Sequence, residues 1–229
     1  RFDSALSVHI IGSGEPLLNK DLFAMIDYAA RKKMLVKTIS NGTLLVRDDN
    51  AAKILSSSLE GITISLNGHT RDEFSRMTGM APGLYDEIHH NIEELIRLKR
   101  SMRSPVNVKL SFILDKENCR SIGAMAEAAR ALGADHTFFC NFLPAPYDGL
   151  RPEERVLFED EDMPVVRSAY RRLEKRERKR FTFPPLLMRK RAARSCNSHF
   201  TQMRVDGEGN VSSCSMMLLN MENKGKYHE

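Results

Sequence analysis

Ile62-Thr63-Ile64-Ser65-Leu66-Asn67 alternates apolar and polar residues without a break, and Val106-Asn107-Val108-Lys109-Leu110-Ser111-Phe112 repeats the pattern. A strand sends successive side chains to opposite faces. One face therefore packs under helices, and the other presents Thr63, Ser65, Asn67, Asn107, Lys109 and Ser111. Strands of a doubly wound sheet are buried on both faces and read as nearly continuous apolar runs. Closed eight-stranded barrels fill their interior with bulky aliphatics. A polar inner face fits a wide, incomplete barrel whose lumen holds water or a polar ligand; a sheet with one solvated face is the alternative.

Outward from these two runs the same unit recurs. Ser7–Ile11, Met34–Ile39 and His136–Phe142 are further short apolar runs. Leu22, Phe23, Ile26 and Ala30 share one helical face, as do Ile88, Ile92, Leu95 and Ile96, and then Ile122, Met125, Ala126 and Ala129. A shorter helix is predicted over 50–57. Strand–helix alternation at this spacing means βαβ units and a parallel sheet. Periodicity leaves open whether that sheet is flat or curled.

The 229 residues are 41% hydrophobic and 28% charged, enough apolar mass for one large domain with a small appendage. No apolar run approaches the roughly 18 residues of a membrane helix. The first residue is Arg1 and no signal-peptide shape follows, so the chain is expected to start inside a longer protein. Four cysteines, at 119, 140, 196 and 214, are too sparse for a secreted disulfide scaffold, and a reducing cytoplasm is expected. The net charge of +5 is concentrated between Arg167 and Arg194. Arg167–Arg180 reads as a charged linker helix with Glu174 four residues before Arg178. No aromatic-rich module accompanies the basic patch, so nucleic acid is not expected as a partner.

Polar, glycine-bearing turns follow the strands, where ligands sit in α/β folds. They are Ile11-Gly12-Ser13-Gly14-Glu15-Pro16-Leu17-Leu18, Ser40-Asn41-Gly42-Thr43 and Ser65-Leu66-Asn67-Gly68. Glycines let the backbone approach a ligand, and Glu15 adds an acceptor for an ammonium group. Taken singly, each is ordinary turn chemistry.

Together and in this order, these segments resemble those of the radical S-adenosylmethionine (SAM) superfamily across roughly 7–143. Gly14-Glu15-Pro16 resembles the family's GGEP segment with Ser13 for the first glycine, Asn41-Gly42 its TNG segment, and Ser65-Leu66-Asn67-Gly68 its ISLDG segment with Asn67 for aspartate. The resemblance implies an α/β fold: a partial (β/α)6-type TIM barrel with parallel strands, carrying a small C-terminal β-hairpin. It implies that Ser13, Gly14 and Glu15 hold the methionyl end of SAM, that Ser65 and Asn67 lie near its ribose, and that Asn41, Arg76 and Ser111 also border the cofactor. Arg76 would take the methionine carboxylate. A third reading, an unrelated barrel enzyme, would use Glu15 and His69 for acid–base work.

The family's CxxxCxxC loop, which holds a catalytic [4Fe–4S] cluster, has no counterpart in the chain. The resemblance places it upstream of residue 1, so this piece alone is expected to be inactive and no catalytic residue is named. Thr201–Val205 and Asn210–Cys214 flank the turn Asp206-Gly207-Glu208-Gly209, a β-hairpin pattern. The spacing of Cys196 and Cys214 resembles the opening of a SPASM or Twitch extension, with both thiolates as ligands of an auxiliary [4Fe–4S] cluster. The expected division is a barrel core at 1–146, a basic helical linker with the last barrel elements at 147–195, and the start of the extension at 196–229. The implied activity is reductive SAM cleavage to a 5′-deoxyadenosyl radical that abstracts hydrogen from a peptide substrate, with a small metabolite as the alternative substrate. An electron donor such as flavodoxin or ferredoxin would serve it. A non-catalytic SAM-binding scaffold of the same fold is the competing class.

Overall fold

A computed structural model describes residues 6–12, 14–142, 152–173, 177–182 and 201–212. The chain divides into two compact units, Arg1–Met188 and Arg189–Glu229.

The first unit is built on six parallel strands: β1 (Ser7–Ile10), β2 (Leu35–Ser40), β3 (Leu59–Ser65), β4 (Asn107–Leu114), β5 (His136–Asn141) and β6 (Phe181–Thr182). They pair in the order of the chain, with no reversal. Right-handed crossovers between strands added in one direction put every connecting helix on the same side of the sheet. The other side is left as the lumen of an incomplete barrel, as the alternating sequence predicts.

The helices are α1 (Leu22–Arg31), α2 (Asn50–Ser56), α3 (Arg71–Thr78), α4 (Gly83–Met102), α5 (Ile122–Leu132), α6 (Pro152–Arg155) and α7 (Glu159–Arg171). The predicted apolar stripes are the faces they bury: Leu22 and Ile26 on α1, Ile88, Ile92 and Leu95 on α4, and Ile122 and Met125 on α5 are all 0–1% exposed. They meet Val36, Ile62, Ile64, Val108, Leu110, Phe112 and Leu114 from the sheet. Each such side chain contributes about 1.5–3 kcal/mol of transfer free energy. Strand β4 is buried at every second residue, from Val108 to Leu114, and only half-buried at Asn107, Lys109, Ser111 and Ile113.

Two local features depart from the sequence reading. The charged helix expected over Arg167–Arg180 begins earlier, at Glu159, and stops at Arg171. Its first turn is Glu159-Asp160-Glu161-Asp162, acidic residues favoured at the positive end of the helix dipole. At the other end, the Arg178 guanidinium folds back onto the carbonyls of Arg171 (2.8 Å) and Leu173 (3.2 Å), satisfying acceptors that a continuing helix would have used. Glu174, the expected partner of Arg178, lies outside the described residues.

The second departure is α3. Its only fully buried side chain is Phe74, so it carries almost no apolar stripe. Its start is instead held by Thr70, whose Oγ1 accepts from the N–H of Glu73 at 3.2 Å.

In the second unit, β7 (Arg204–Val205) and β8 (Val211–Ser212) form the expected antiparallel hairpin. Asp206 organises the turn, its Oδ1 accepting from the N–H groups of Glu208 (2.9 Å) and Asn210 (2.8 Å). Cys196 and Cys214 lie outside the described residues. Among the described residues no helix is long and apolar enough to cross a membrane.

Candidate functional site

The loops that leave β1, β2 and β3 stand side by side, because the strands they leave are neighbours. Glu15 ties the first two together. Its Oε1 accepts from the N–H of Leu17 at 3.1 Å, and its Oε2 accepts from the N–H of Asn41 at 2.7 Å. The first bond caps the short turn Pro16–Leu18, and the second crosses from the β1 loop to the β2 loop. A carboxylate held this way keeps lone pairs for a further donor.

The β2 loop is fixed from both sides. Gly42 has φ +88°, and a Cβ there would meet Ile88 Cγ2 at 2.8 Å and Ile64 Cγ2 at 3.1 Å. Only glycine lets the turn lie flat on α4. Buried Asn91 on α4 donates through Nδ2 to the Gly42 carbonyl at 3.0 Å, and Ser40 Oγ accepts from the Gly42 N–H at 3.0 Å. Asn41 turns its own carboxamide oxygen inward to Thr43, accepting from its N–H (3.0 Å) and Oγ1 (2.7 Å). That oxygen serves the loop, while the Asn41 backbone serves Glu15.

At the end of β3 the ladder breaks. The Ser111 carbonyl accepts from both Leu66 N–H and Asn67 N–H, each at 3.1 Å. Asn67 then takes φ +55°, a left-handed conformation that asparagine tolerates better than most residues. Its Oδ1 is buried and has no hydrogen-bond partner, the one such side-chain atom among the described residues. A buried acceptor left unpaired costs about 1–3 kcal/mol, and such costs persist where a ligand supplies the donor. Ser65 and Ser111 sit just below on neighbouring strands, with hydroxyl oxygens 3.5 Å apart.

The structure thus brings Gly14, Glu15 and Asn41 together at two adjoining loops, and Ser65, Asn67 and Ser111 together at the ends of β3 and β4. Ser13 lies outside the described residues. Arg76 is placed in a different cluster. Its guanidinium spans Asp115, with Nη1 at 2.8 Å and Nη2 at 3.4 Å, and reaches Glu117 Oε2 at 2.9 Å. Arg155 adds two more bonds to Asp115 Oδ2, at 3.0 and 2.9 Å. Burial pushes the Asp115 carboxyl up, but the Arg76 and Arg155 guanidiniums and the Asn118 N–H outweigh it and hold it below the usual carboxylate range. His69 is likewise engaged, its Nδ1 2.5 Å from Glu73 Oε2, with no link to Glu15 that would build an acid–base pair.

In the lower lumen the alternation of β4 marks Asn107 and Lys109, but their partner Glu60 is not marked by any pattern. Glu60 lies within reach of Lys37 (3.7 Å) and Lys109 (3.4 Å), with His9 and His136 on the flanking strands. The signal for Lys37 and His9 was the same period-two pattern used for β3 and β4. Glu60 had none, because a register shift brings it to the lumen face.

No family model matches the chain. Among curated proteins, the Fe-coproporphyrin III synthase of Methanosarcina barkeri (strain Fusaro / DSM 804) is 32% identical over 120 residues, covering 52% of this chain and 27% of that protein. The PqqA peptide cyclase of Granulibacter bethesdensis is 27% identical over 138 residues, covering 59% of this chain and 34% of that protein. The chain therefore spans about a third or less of these two relatives. Streptococcus suis SuiB superposes with TM-score 0.70 when bound to SAM and 0.71 when bound to its precursor peptide SuiA. Both superpositions are at 14% identity and cover 91% and 93% of this chain, against 49% of SuiB. These relatives and structural neighbours are radical SAM enzymes, and the chain is similar to them in its barrel portion. Within this barrel, the loops ending β1, β2 and β3 are the described face with an organised, partly unsatisfied set of acceptors.

Proposed function

We propose that this chain forms the SAM-binding side of a radical SAM enzyme that acts on a peptide. The observation that carries the reading is the buried Asn67 Oδ1 without a partner, at the rim of the lumen beside Ser65 and Ser111. A ribose hydroxyl is a donor of the right size for that acceptor. Glu15, already oriented by Leu17 and Asn41, offers its remaining lone pairs to the methionyl ammonium. The residues present fit SAM on these grounds.

When bound at a reduced [4Fe–4S] cluster, SAM would supply the radical chemistry that removes a hydrogen atom from substrate. This chain's residues bind and orient. Glu15 fixes the amino-acid end, Asn67 fixes the sugar, and Leu66 and Ile64, fully buried behind them, keep water from the far side of the sheet. No residue here is assigned to the catalytic cluster, since the chain has no CxxxCxxC triplet. Cys196 and Cys214 are proposed as ligands of an auxiliary cluster. A flavodoxin- or ferredoxin-type protein would deliver the electron.

Two relatives support a peptide substrate: one is named a PqqA peptide cyclase, and SuiB was solved with its precursor peptide. The Fe-coproporphyrin III synthase supports a small-metabolite substrate as the second reading. Calorimetric titration of the full chain with SAM tests the site. Glu15→Gln and Asn67→Gly are each expected to raise the SAM Kd by ~10-fold, about 1.4 kcal/mol. Unchanged affinity in both variants overturns the placement.

A further inference from the structure

The lower lumen holds a second set of polar groups, near the strand N-termini and away from the loops that carry Glu15 and Asn67. It is assembled by a break in register. Val36 pairs with Leu59, but the next residue, Lys37, pairs with Gly61, so Glu60 and Gly61 together oppose one residue of β2. A bulge of this kind re-aims a side chain. Glu60, which strict alternation would send away from the lumen residues Thr63 and Ser65, turns in beside Lys37 and Lys109. Its Oε2 lies 3.7 Å from Lys37 Nζ and 3.4 Å from Lys109 Nζ, and its Oε1 accepts from Asn107 Nδ2 at 3.2 Å. Glycine at 61 makes the room: a Cβ there would sit 2.8 Å from the Asn107 carbonyl oxygen and 3.3 Å from Lys109 Cε.

Two ammonium groups share one carboxylate, which leaves one positive charge uncompensated. The groups facing it do not supply the missing negative charge. His9 pairs with Lys37 across β1 and β2, His136 pairs with Lys109 across β4 and β5, and Arg180 lies beside His136. Both imidazoles are held below the ordinary histidine range, chiefly by burial and then by Lys37 for His9 and Lys109 for His136. They are therefore neutral hydrogen-bonding groups at neutral pH; His136 already bonds Thr182 Oγ1 at 2.8 Å. The cluster is open to a ligand, with the Lys37 side chain 35% exposed, Glu60 28% and Lys109 14%.

We propose that this lumen floor is a binding site for a single carboxylate of the substrate, gripped between Lys37 and Lys109 with His9 and His136 as neutral partners. The inference rests on the reading that substrate occupies the lumen, and it names the substrate's chemistry: a peptide presenting an acidic side chain or a free C-terminus. The Lys37–Lys109–Glu60 trio itself carries one excess positive charge, which suits a carboxylate monoanion, because the further cation, Arg180, lies at the edge of the cluster with its guanidinium donating to the Ala134 carbonyl at 2.8 Å. Lys37 and Gly61 are level with Asn107, four residues before Ser111 on β4, so the gripped group would lie roughly 13 Å below the cofactor rim. That spacing suits a peptide whose anchored carboxylate is some residues away from the reacting carbon.

The test uses the full chain labelled with [13Cε1]histidine and titrated with N-acetylglutamic acid α-amide, a capped monoanion. Its neutral isostere N-acetylglutaminamide, inorganic phosphate, and chloride at matched ionic strength serve as comparison probes. The capped glutamate is expected to shift the His9 and His136 resonances saturably, to raise the pKa of both imidazoles by offsetting the lysines, and to bind ~10-fold tighter than the glutamine isostere. Lys109→Met and the more exposed Lys37→Gln should each weaken it ~10-fold. Glu60→Gln should tighten it, because removing the resident carboxylate raises the excess charge. A purely structural ion network predicts the opposite for Glu60→Gln: lost stability and no gain in anion affinity. The proposal is overturned if the capped glutamate acts no differently from chloride or its isostere, if phosphate binds the wild type more tightly, or if Glu60→Gln leaves affinity unimproved. Any of these alongside intact SAM binding in the same sample removes the floor site and leaves the cofactor site standing; loss of both removes the enzyme reading.

Discussion

Glu15 Oε2 accepts the backbone N–H of Asn41 at 2.7 Å, so a side chain from the loop after β1 closes the loop after β2. The same carboxylate caps the turn at Leu17 at 3.1 Å. Glu15→Gln keeps the shape but turns one oxygen into an NH2 donor, so only one of the two N–H groups keeps its acceptor. Charge-assisted bonds of this type contribute about 1.5–3 kcal/mol. The variant should lose about 1–2 kcal/mol in urea unfolding. An unfolding midpoint equal to the wild type would mean that Glu15 does not join the loops.

Asn67 separates stability from function. Glycine at 67 removes both the left-handed strain of a φ of +55° and the unpaired oxygen, against a gain in unfolded-chain freedom. Asn67→Gly should therefore stay within ~1 kcal/mol of wild-type stability, whereas an ordinary buried polar deletion costs more. Thermal unfolding of the two proteins reads this directly. A loss beyond about 2 kcal/mol would show that the oxygen already has a partner.

Asp115 is fully buried between two arginines. Asp115→Asn removes the counter-charge that Arg76 and Arg155 share, leaving Glu117 on Arg76 alone, and should cost about 2–3 kcal/mol in denaturant unfolding. Its folded pKa lies below the unfolded value, so the carboxylate's contribution is fully present above the unfolded pKa and is lost as pH falls through the folded one. Circular dichroism below pH ~4 should show the wild type losing stability more steeply than Asp115→Asn. Parallel acid-unfolding curves would remove Asp115 from this role.

Gly42→Ala must accept a φ of +88° and a contact of 2.8 Å with Ile88 Cγ2. Strain and overpacking together should cost about 2–4 kcal/mol. Ile88→Ala in the same chain should recover part of the overpacking cost, and a double-mutant cycle measures how much. Strict additivity would show that the loop does not lie on α4.

These residues also mark where the fold was legible. Thr63, Ser65, Lys109 and Ser111 disclosed an open lumen because period-two alternation records which face is wet, and that record is local. The helix over 71–78 left little trace because Phe74 alone is buried; its usable signal was Thr70 with Glu73 three residues on, the spacing of a capped helix start. Glu60 was unreadable. Its lumen position follows from the register of β2 on β3, a relation between segments that no single stretch of residues contains. Arg76 shows the converse. Its place after β3 suited a cofactor carboxylate, but Asp115, thirty-nine residues later, competes for the same guanidinium from inside the fold.

The central claim is that Glu15 and Asn67 hold SAM for reductive cleavage in the lumen. Anaerobic reconstitution of the full-length protein with iron and sulfide, followed by chemical reduction and measurement of 5′-deoxyadenosine, tests it most directly. The account predicts release by the wild type and at least a ~10-fold slower release by Glu15→Gln and Asn67→Gly at limiting SAM. Full cluster loading with no 5′-deoxyadenosine, or release unaffected by both substitutions, would contradict it.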